Sequence, residues 1–203
     1  MSFFKRNREQ LIAQGIDPAR LPPGQYVTER FPVLQAGVIP KIDFDSWDFT
    51  IGGLVAAPVR WTFDEFMSVG SGEMTADIHC VTKWSKFDTN WSGVPVSAVW
   101  EQLDVDPSAT HVLLKAEHGF TANLPIEDFV RDGNLFANRF DGADLELEHG
   151  WPLRLVVPHL YFWKSVKWVR GFDVLAHDEP GFWERNGYHM YGDPFKEQRF
   201  WGD

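Results

Sequence analysis

The stretch Asp77-Ile78-His79-Cys80-Val81-Thr82-Lys83-Trp84-Ser85 contains the only cysteine among 203 residues. A lone thiol can form no internal disulfide and cannot build a thiolate cage for zinc. Cys80 is therefore either a small buried side chain or a group whose one partner is not another cysteine. A second chemical feature lies downstream. Residues Trp151 to Phe172 contain no Asp or Glu, although the chain has 29 acidic residues, and they carry Arg154, Lys164, Lys167 and Arg170. A carboxylate-free cationic window points to an anionic ligand, because Arg and Lys make charge-assisted hydrogen bonds to phosphate. Ser165 would add a hydroxyl and Gly150 would let backbone approach a ligand closely. The competing reading places the four cations on outward strand faces, paired with acids from elsewhere.

The elements that must hold these groups are mostly strands. Trp47-Asp48-Phe49-Thr50-Ile51 alternates apolar and polar residues with period two, as a half-buried strand does, and Gly52-Gly53 ends it. Thr62 followed by Glu65 reads as a capping box opening a short helix, and Ser97 is expected to cap another through Val99, Trp100 and Leu103. Residues 111–125 suggest a strand pair turning at Gly119, with Pro125 leading a helix over 126–130. Residues 144–161 suggest two strands on either side of His149-Gly150, and Asp173-Val174-Leu175 a last strand. Residues 1–25 form a polar segment: a short helix ending near Gly15, then the connector Leu21-Pro22-Pro23-Gly24. Residues 26–176 form the domain, and 177–203 an aromatic tail lying across it. The fold class is α+β, strand-rich mixed sheets with short helices.

Composition narrows the function classes. Hydrophobic residues make up 44% of the chain, with 10 Trp and 17 Phe, enough for a sizeable core. A formal charge of −10 excludes nucleic acid as the main partner, since a general phosphate binder needs a basic surface. No apolar run approaches the roughly 20 residues of a membrane span. The N-terminal residues show neither a signal-peptide core nor a twin-arginine signal, so a cytoplasmic location is expected.

Read together, His79-Cys80-Val81-Thr82-Lys83-Trp84-Ser85, Trp91-Ser92-Gly93-Val94-Pro95, the block 149–169 and the tail 187–200 resemble the sulfite-oxidase-fold molybdopterin oxidoreductases, in their short bacterial form. That family includes sulfite oxidases, assimilatory nitrate reductases and the periplasmic methionine-sulfoxide reductase. The resemblance implies a sulfite-oxidase molybdopterin-binding fold over about Phe31 to Val174 and a molybdenum-molybdopterin cofactor. Cys80 falls at the position of the protein ligand to the metal, where a soft thiolate suits molybdenum. By the same resemblance His149 and Arg154 match pterin-binding positions, and Ser165, Val166 and Lys167 match the segment where backbone and lysine contact the pterin. The loop after Arg30-Phe31-Pro32 should supply an earlier contact.

The resemblance further implies an enzyme that moves an oxygen atom to or from a small substrate, a sulfite-like oxyanion or a sulfoxide. The alternative is a non-catalytic molybdopterin- or anion-binding domain. Lys83 stands where larger sulfite oxidases carry arginines, and the Trp84-Ser85 pair is similar to the methionine-sulfoxide reductase branch. No haem attachment motif, ferredoxin cysteine set or dinucleotide fingerprint is present, so a separate electron carrier is expected. Among further polar candidates for the pocket (Lys83, His118, His159, Tyr161, Tyr188 and His189), His189 stands first, because glycines flank it. Lys83 and His189 join Cys80 as the catalytic candidates. Trp84 and Trp163 are candidate pterin walls. On an alternating strand His79 would face away from Cys80, a structural role.

Overall fold

The computed structural model describes residues 3–203, with side chains from residue 7 onward. Eleven strands and five short α-helices are present among them. The first helix, α1 (Phe3–Ala13), ends before Gly15, and the Pro-rich connector leads to β1 (Tyr26–Val27). Then come β2 (Phe49–Gly53), β3 (Val59–Trp61), α2 (Phe63–Ser68), β4 (Gly72–His79), β5 (Trp84–Pro95) and α3 (Val96–Trp100). After them run β6 (His111–Ala116), β7 (Thr121–Pro125), α4 (Ile126–Phe129), β8 (Leu135–Phe140) and β9 (Ala143–Asp144). The chain closes with β10 (Arg154–Val156), β11 (Val169–Leu175) and α5 (Phe182–Arg185).

Two mixed sheets result. One runs β1-β5-β8-β10, with β4 on β5 and β9 on β8; the other runs β3-β2-β11-β6-β7. Two pairings are parallel, β1 with β5 and β2 with β11. In the second sheet β11 is central, and Gly171 there has φ 142° and lies against the backbone of Thr50, where a Cβ would collide. The main core fills the space between the sheets. Phe49, Ile51, Val112, Leu114 and Phe172 reach it from one side, and Val94, Phe136 and Leu155 from the other. A smaller cluster of Ile78, Cys80, Trp84, Trp91, Leu135, Ala137 and Val156 covers the opposite face of the first sheet. Phe136 points to one cluster and its neighbours Leu135 and Ala137 to the other, which is the alternation of a strand buried on both faces.

Most local expectations hold. Thr62 Oγ1 accepts from Glu65 N at 3.3 Å while Glu65 Oε2 accepts from Thr62 N at 2.8 Å, the full capping box. The β6–β7 hairpin turns through a 3-10 turn at Glu117–Gly119. Two expectations are corrected. The N-cap of α3 is Pro95, not Ser97, which lies inside the first turn. Only β10 forms a clear strand beside His149-Gly150, because the chain before it coils through a 3-10 turn at Leu147–His149. Pro152 and Pro158, which lack an N–H for a ladder, bracket β10 and keep it short.

Candidate active site

β10 is three residues long and buried throughout. Leu155 faces the inter-sheet core, so alternation turns Arg154 and Val156 to the opposite face, beside Trp91 and Phe162. Cys80 reaches that face from the end of β4. It opens a tight turn in which Cys80 N donates to Trp84 O and Lys83 N to Cys80 O, both at 2.9 Å. Lys83 closes the turn in the left-handed region, with φ 78°. The two features meet at a cavity of about 260 Å³, small for a cofactor site, whose polar lining includes Cys80, Thr82, Arg154, Ser165 and Lys167. Aromatic walls come from Trp84, Trp163, Trp168, Trp183 and Tyr188, and the segment Phe31 to Ala36 contributes one side.

Arg154 is 1% exposed. Its Nη1 donates to His149 O at 2.8 Å and Nη2 to Ser165 O at 2.9 Å, and the Phe162 ring lies 4.2 Å from its guanidinium carbon. Nε has no partner. Burial without a carboxylate pulls its pKa down from 12.5 to about 9. Lys167 Nζ donates to Glu148 O at 2.7 Å; burial, then the charge of Arg154, brings its pKa down to about 7. Gly150, with φ 117°, lets the chain lie against both cation-bearing segments, since a Cβ there would sit 3.0 Å from Arg154 Cβ and 3.3 Å from Lys167 Cα. Burial pushes the Cys80 thiol up, while a hydrogen bond from Thr82 Oγ1 at 3.2 Å and the charge of Arg199 oppose that rise. These groups make an anion receptor with a single sulfur on its lining.

The window's four cations divide evenly. Arg154 and Lys167 line the cavity, and neither has a carboxylate ion-pair partner among the described residues. Arg170 instead pairs outward with Asp48 at 2.7 Å and Glu117 at 2.6 Å. Lys164 is buried on the far side, 2.7 Å from Glu184 of α5. Of the matched pterin positions, Arg154, Ser165, Val166 and Lys167 line the cavity together with Cys80.

His149 does not line it. Its Nδ1 lies 3.1 Å from Glu146 Oε2 and its Nε2 3.1 Å from Phe31 O, so its ring is occupied and it acts by holding Arg154 through its carbonyl. Lys83 is exposed and is not part of the cavity lining. His189 Nδ1 accepts from the amides of Tyr191 and Gly192 and so shapes the tail. Of the other polar candidates only Tyr188 reaches the cavity. His118 is exposed at the β6–β7 turn, His159 Nε2 lies 2.9 Å from Asp128 Oδ1, and Tyr161 stacks on Trp163. His79, as expected, faces away, with Nδ1 2.9 Å from Ser85 Oγ. Thr82 and Trp183, which also line the cavity, do not stand out in the sequence. Thr82's position two residues after the cysteine in a tight turn was the available signal.

A larger depression, of about 990 Å³, lies between α1 and strands β4 and β5. Its wall carries Glu29, Glu73, Asp88 and Asp141 against one cation, Lys86, which disfavours an anionic ligand. Among the described residues, the His, Cys, Asp or Glu side chains that cluster closely enough to hold an ion are Glu146, Glu148 and His149, without Cys80. A metal bound by Cys80 must therefore bring its other ligands with it.

Residues 36–183 match the profile of the oxidoreductase molybdopterin-binding domain. The chain belongs to that family. It is 46% identical over 191 residues to the uncharacterized oxidoreductase YuiH of Bacillus subtilis, covering 94% of this chain and 96% of that protein. It is 29% identical to the catalytic subunit of the protein-methionine-sulfoxide reductase MsrP of Gluconobacter oxydans, over 72% of this chain and 52% of that protein. The fold is similar to that of the sulfane dehydrogenase SoxCD from Paracoccus pantotrophus, with a TM-score of 0.65 at 22% identity, over 81% of this chain and 46% of that one. The chain thus spans about half the length of these last two relatives. It is a molybdenum-cofactor oxidoreductase of the sulfite oxidase family, and its cofactor is molybdopterin-bound molybdenum. The chemistry of the lining fits such a group: buried Arg154 Nε and Trp84 Nε1 lack hydrogen-bond partners, Arg154 and Lys167 have no carboxylate ion pair among the described residues, and one soft sulfur stands among them.

Proposed function

We propose that the chain moves an oxygen atom to or from a small substrate, a sulfite-like oxyanion or a sulfoxide, and exchanges two electrons with a separate carrier. The observation that carries this reading is the meeting of Cys80 with Arg154 and Lys167 in one cavity. Cys80 supplies the protein sulfur for the metal. Arg154 and the Ser165–Lys167 segment hold the pterin and its phosphate, with Trp84 beside them. When bound, the cofactor supplies the metal centre at which oxygen and electrons are exchanged.

The chain's own residues do the rest. Arg154 and Lys167 offset negative charge from positions that are largely buried, where each charge acts more strongly than in solvent. Tyr188 lines the same cavity, and burial and the Cys80 charge both hold its phenol protonated. Its hydroxyl is thereby a hydrogen-bond donor for a substrate oxygen. One cysteine cannot ligate an iron–sulfur cluster, which supports exchange of electrons with a separate carrier. Among the described residues no helix is long and apolar enough to cross a membrane.

The test is Cys80→Ser, made in a cofactor-competent host supplied with molybdate. Turnover of sulfite and of methionine sulfoxide with a redox dye should fall by more than the roughly 10- to 100-fold that losing a supporting residue costs. Pterin, read by fluorescence after denaturation, should stay. A serine variant with wild-type turnover refutes the role of Cys80. A wild-type chain that holds molybdenum yet reacts with neither substrate supports the non-catalytic binding domain instead.

A further inference from the structure

The turn that carries the thiol is held from outside by three groups. Tyr26 N donates to Lys83 O at 2.8 Å, Gln25 Nε2 to Cys80 O at 3.1 Å, and Arg199 Nη1 to Val81 O at 3.2 Å. Gln25 and Arg199 are buried, and all three residues lie outside the span 36–183 shared with the family. Arg199 joins three distant segments. Its Nη2 donates to Pro23 O at 3.3 Å, its guanidinium carbon lies 5.0 Å from the Tyr161 ring, and its own carbonyl accepts from His189 N at 3.1 Å. A planar fork with five donors bridges two carbonyls at angles set by its plane, whereas an ammonium is a compact point charge with rotatable donors. The only carboxylate paired with it is that of half-exposed Glu197, at 3.6 Å, among the described residues. Its Nη1 thus brings a buried positive charge against the carbonyl of the residue that follows Cys80.

We propose that Arg199 is a positioning residue for Cys80: from the C-terminal segment it locks the thiol-bearing turn and places a buried positive charge beside it, so that the metal's potential depends on residue 199. This rests on the assignment of Cys80 as the metal ligand. The charge stabilises added electrons, so its removal makes the centre harder to reduce.

The test compares Arg199→Gln, Arg199→Lys and Gln25→Met with wild type, as holoenzyme and as cofactor-free chain. In both forms, hydrogen exchange at the Cys80 and Lys83 amides should speed up at least tenfold in Arg199→Gln and in Gln25→Met. The molybdenum midpoint potential should move negative in Arg199→Gln, and stay at the wild-type value in Arg199→Lys and in Gln25→Met, which keep the charge. Wild-type exchange in Arg199→Gln overturns the locking role. An equal potential shift in Arg199→Lys and Arg199→Gln overturns the charge role. If wild-type chain holds no metal, the functional reading fails, while exchange in the cofactor-free chain still decides whether Arg199 locks the turn.

Discussion

Replacing Arg154 by Met separates a ligand-binding arginine from a structural one. Burial lowers its pKa from 12.5 to about 9, so keeping its charge in the apolar site costs the cofactor-free protein about 5 kcal/mol. The sign follows from linkage: the folded pKa lies below the unfolded one, so this penalty is complete below pH 9 and fades between there and pH 12.5. Methionine removes the penalty. It also strips the donors from His149 O and Ser165 O, at about 1–3 kcal/mol each. The two effects largely offset each other, and cofactor-free Arg154→Met should unfold in urea within about 3 kcal/mol of wild type. Cofactor retention should fall sharply, because each charge-assisted hydrogen bond to a bound anion contributes about 1.5–3 kcal/mol, or roughly 10- to 100-fold in affinity. Urea unfolding of the cofactor-free chain, with molybdenum and pterin per chain on the purified holoenzyme, reads both quantities. A variant destabilised by more than about 3 kcal/mol that kept its full cofactor would refute the reasoning, since that is what breaking a buried structural contact does.

Two further outcomes follow from buried titratable groups. Lys164→Met strands the Glu184 carboxylate, which is 0% exposed and already has Oε2 without a partner, so the variant should lose about 3–5 kcal/mol in urea unfolding. Lys164→Met with Glu184→Leu should regain most of it, and no regain would mean the pair is not the cause. His79, pulled by burial from 6.5 to about 4, binds its proton later in the folded chain than in the unfolded one. Stability is therefore lost as pH falls from 6.5 towards 4, by about 3 kcal/mol at most from this group. Unfolding at pH 7 and 4.5 should show His79→Gln with a shallower loss than wild type; parallel losses would exclude His79 as the source.

Residue chemistry was more legible in the sequence than residue partnership. Cys80, Arg154 and Lys167 stand out by type and local charge, and the cavity gathers them. Lys164 and Arg170 carry the same local signal but face acids from α5, Asp48 and Glu117, and only the folded register reveals those pairs. His149 lies beside a turn glycine as a ligand-binding residue might, yet the carbonyl of Phe31, 118 positions earlier, takes its ring nitrogen. The paired strands β4 and β5 leave no clear signal in the sequence. β5 buries the polar residues Ser85 and Thr89 and shifts register between Ser92 and Gly93, so no clean period survives. Capping at Thr62 was readable because both of its partners lie within three residues.

The cavity's last wall, Trp183 and Tyr188, comes from a segment anchored at Glu184 and Arg199. A group that touches that wall loses those contacts wherever the segment lifts, so its binding favours the segment in place. Mass action then raises the work of lifting the segment by up to RT ln(1 + [L]/Kd). Reciprocity requires the converse, that contacts holding the segment down also raise the affinity for what it covers. Retention of the redox group and resistance of the C-terminal chain to peeling away are thus one equilibrium measured from two ends.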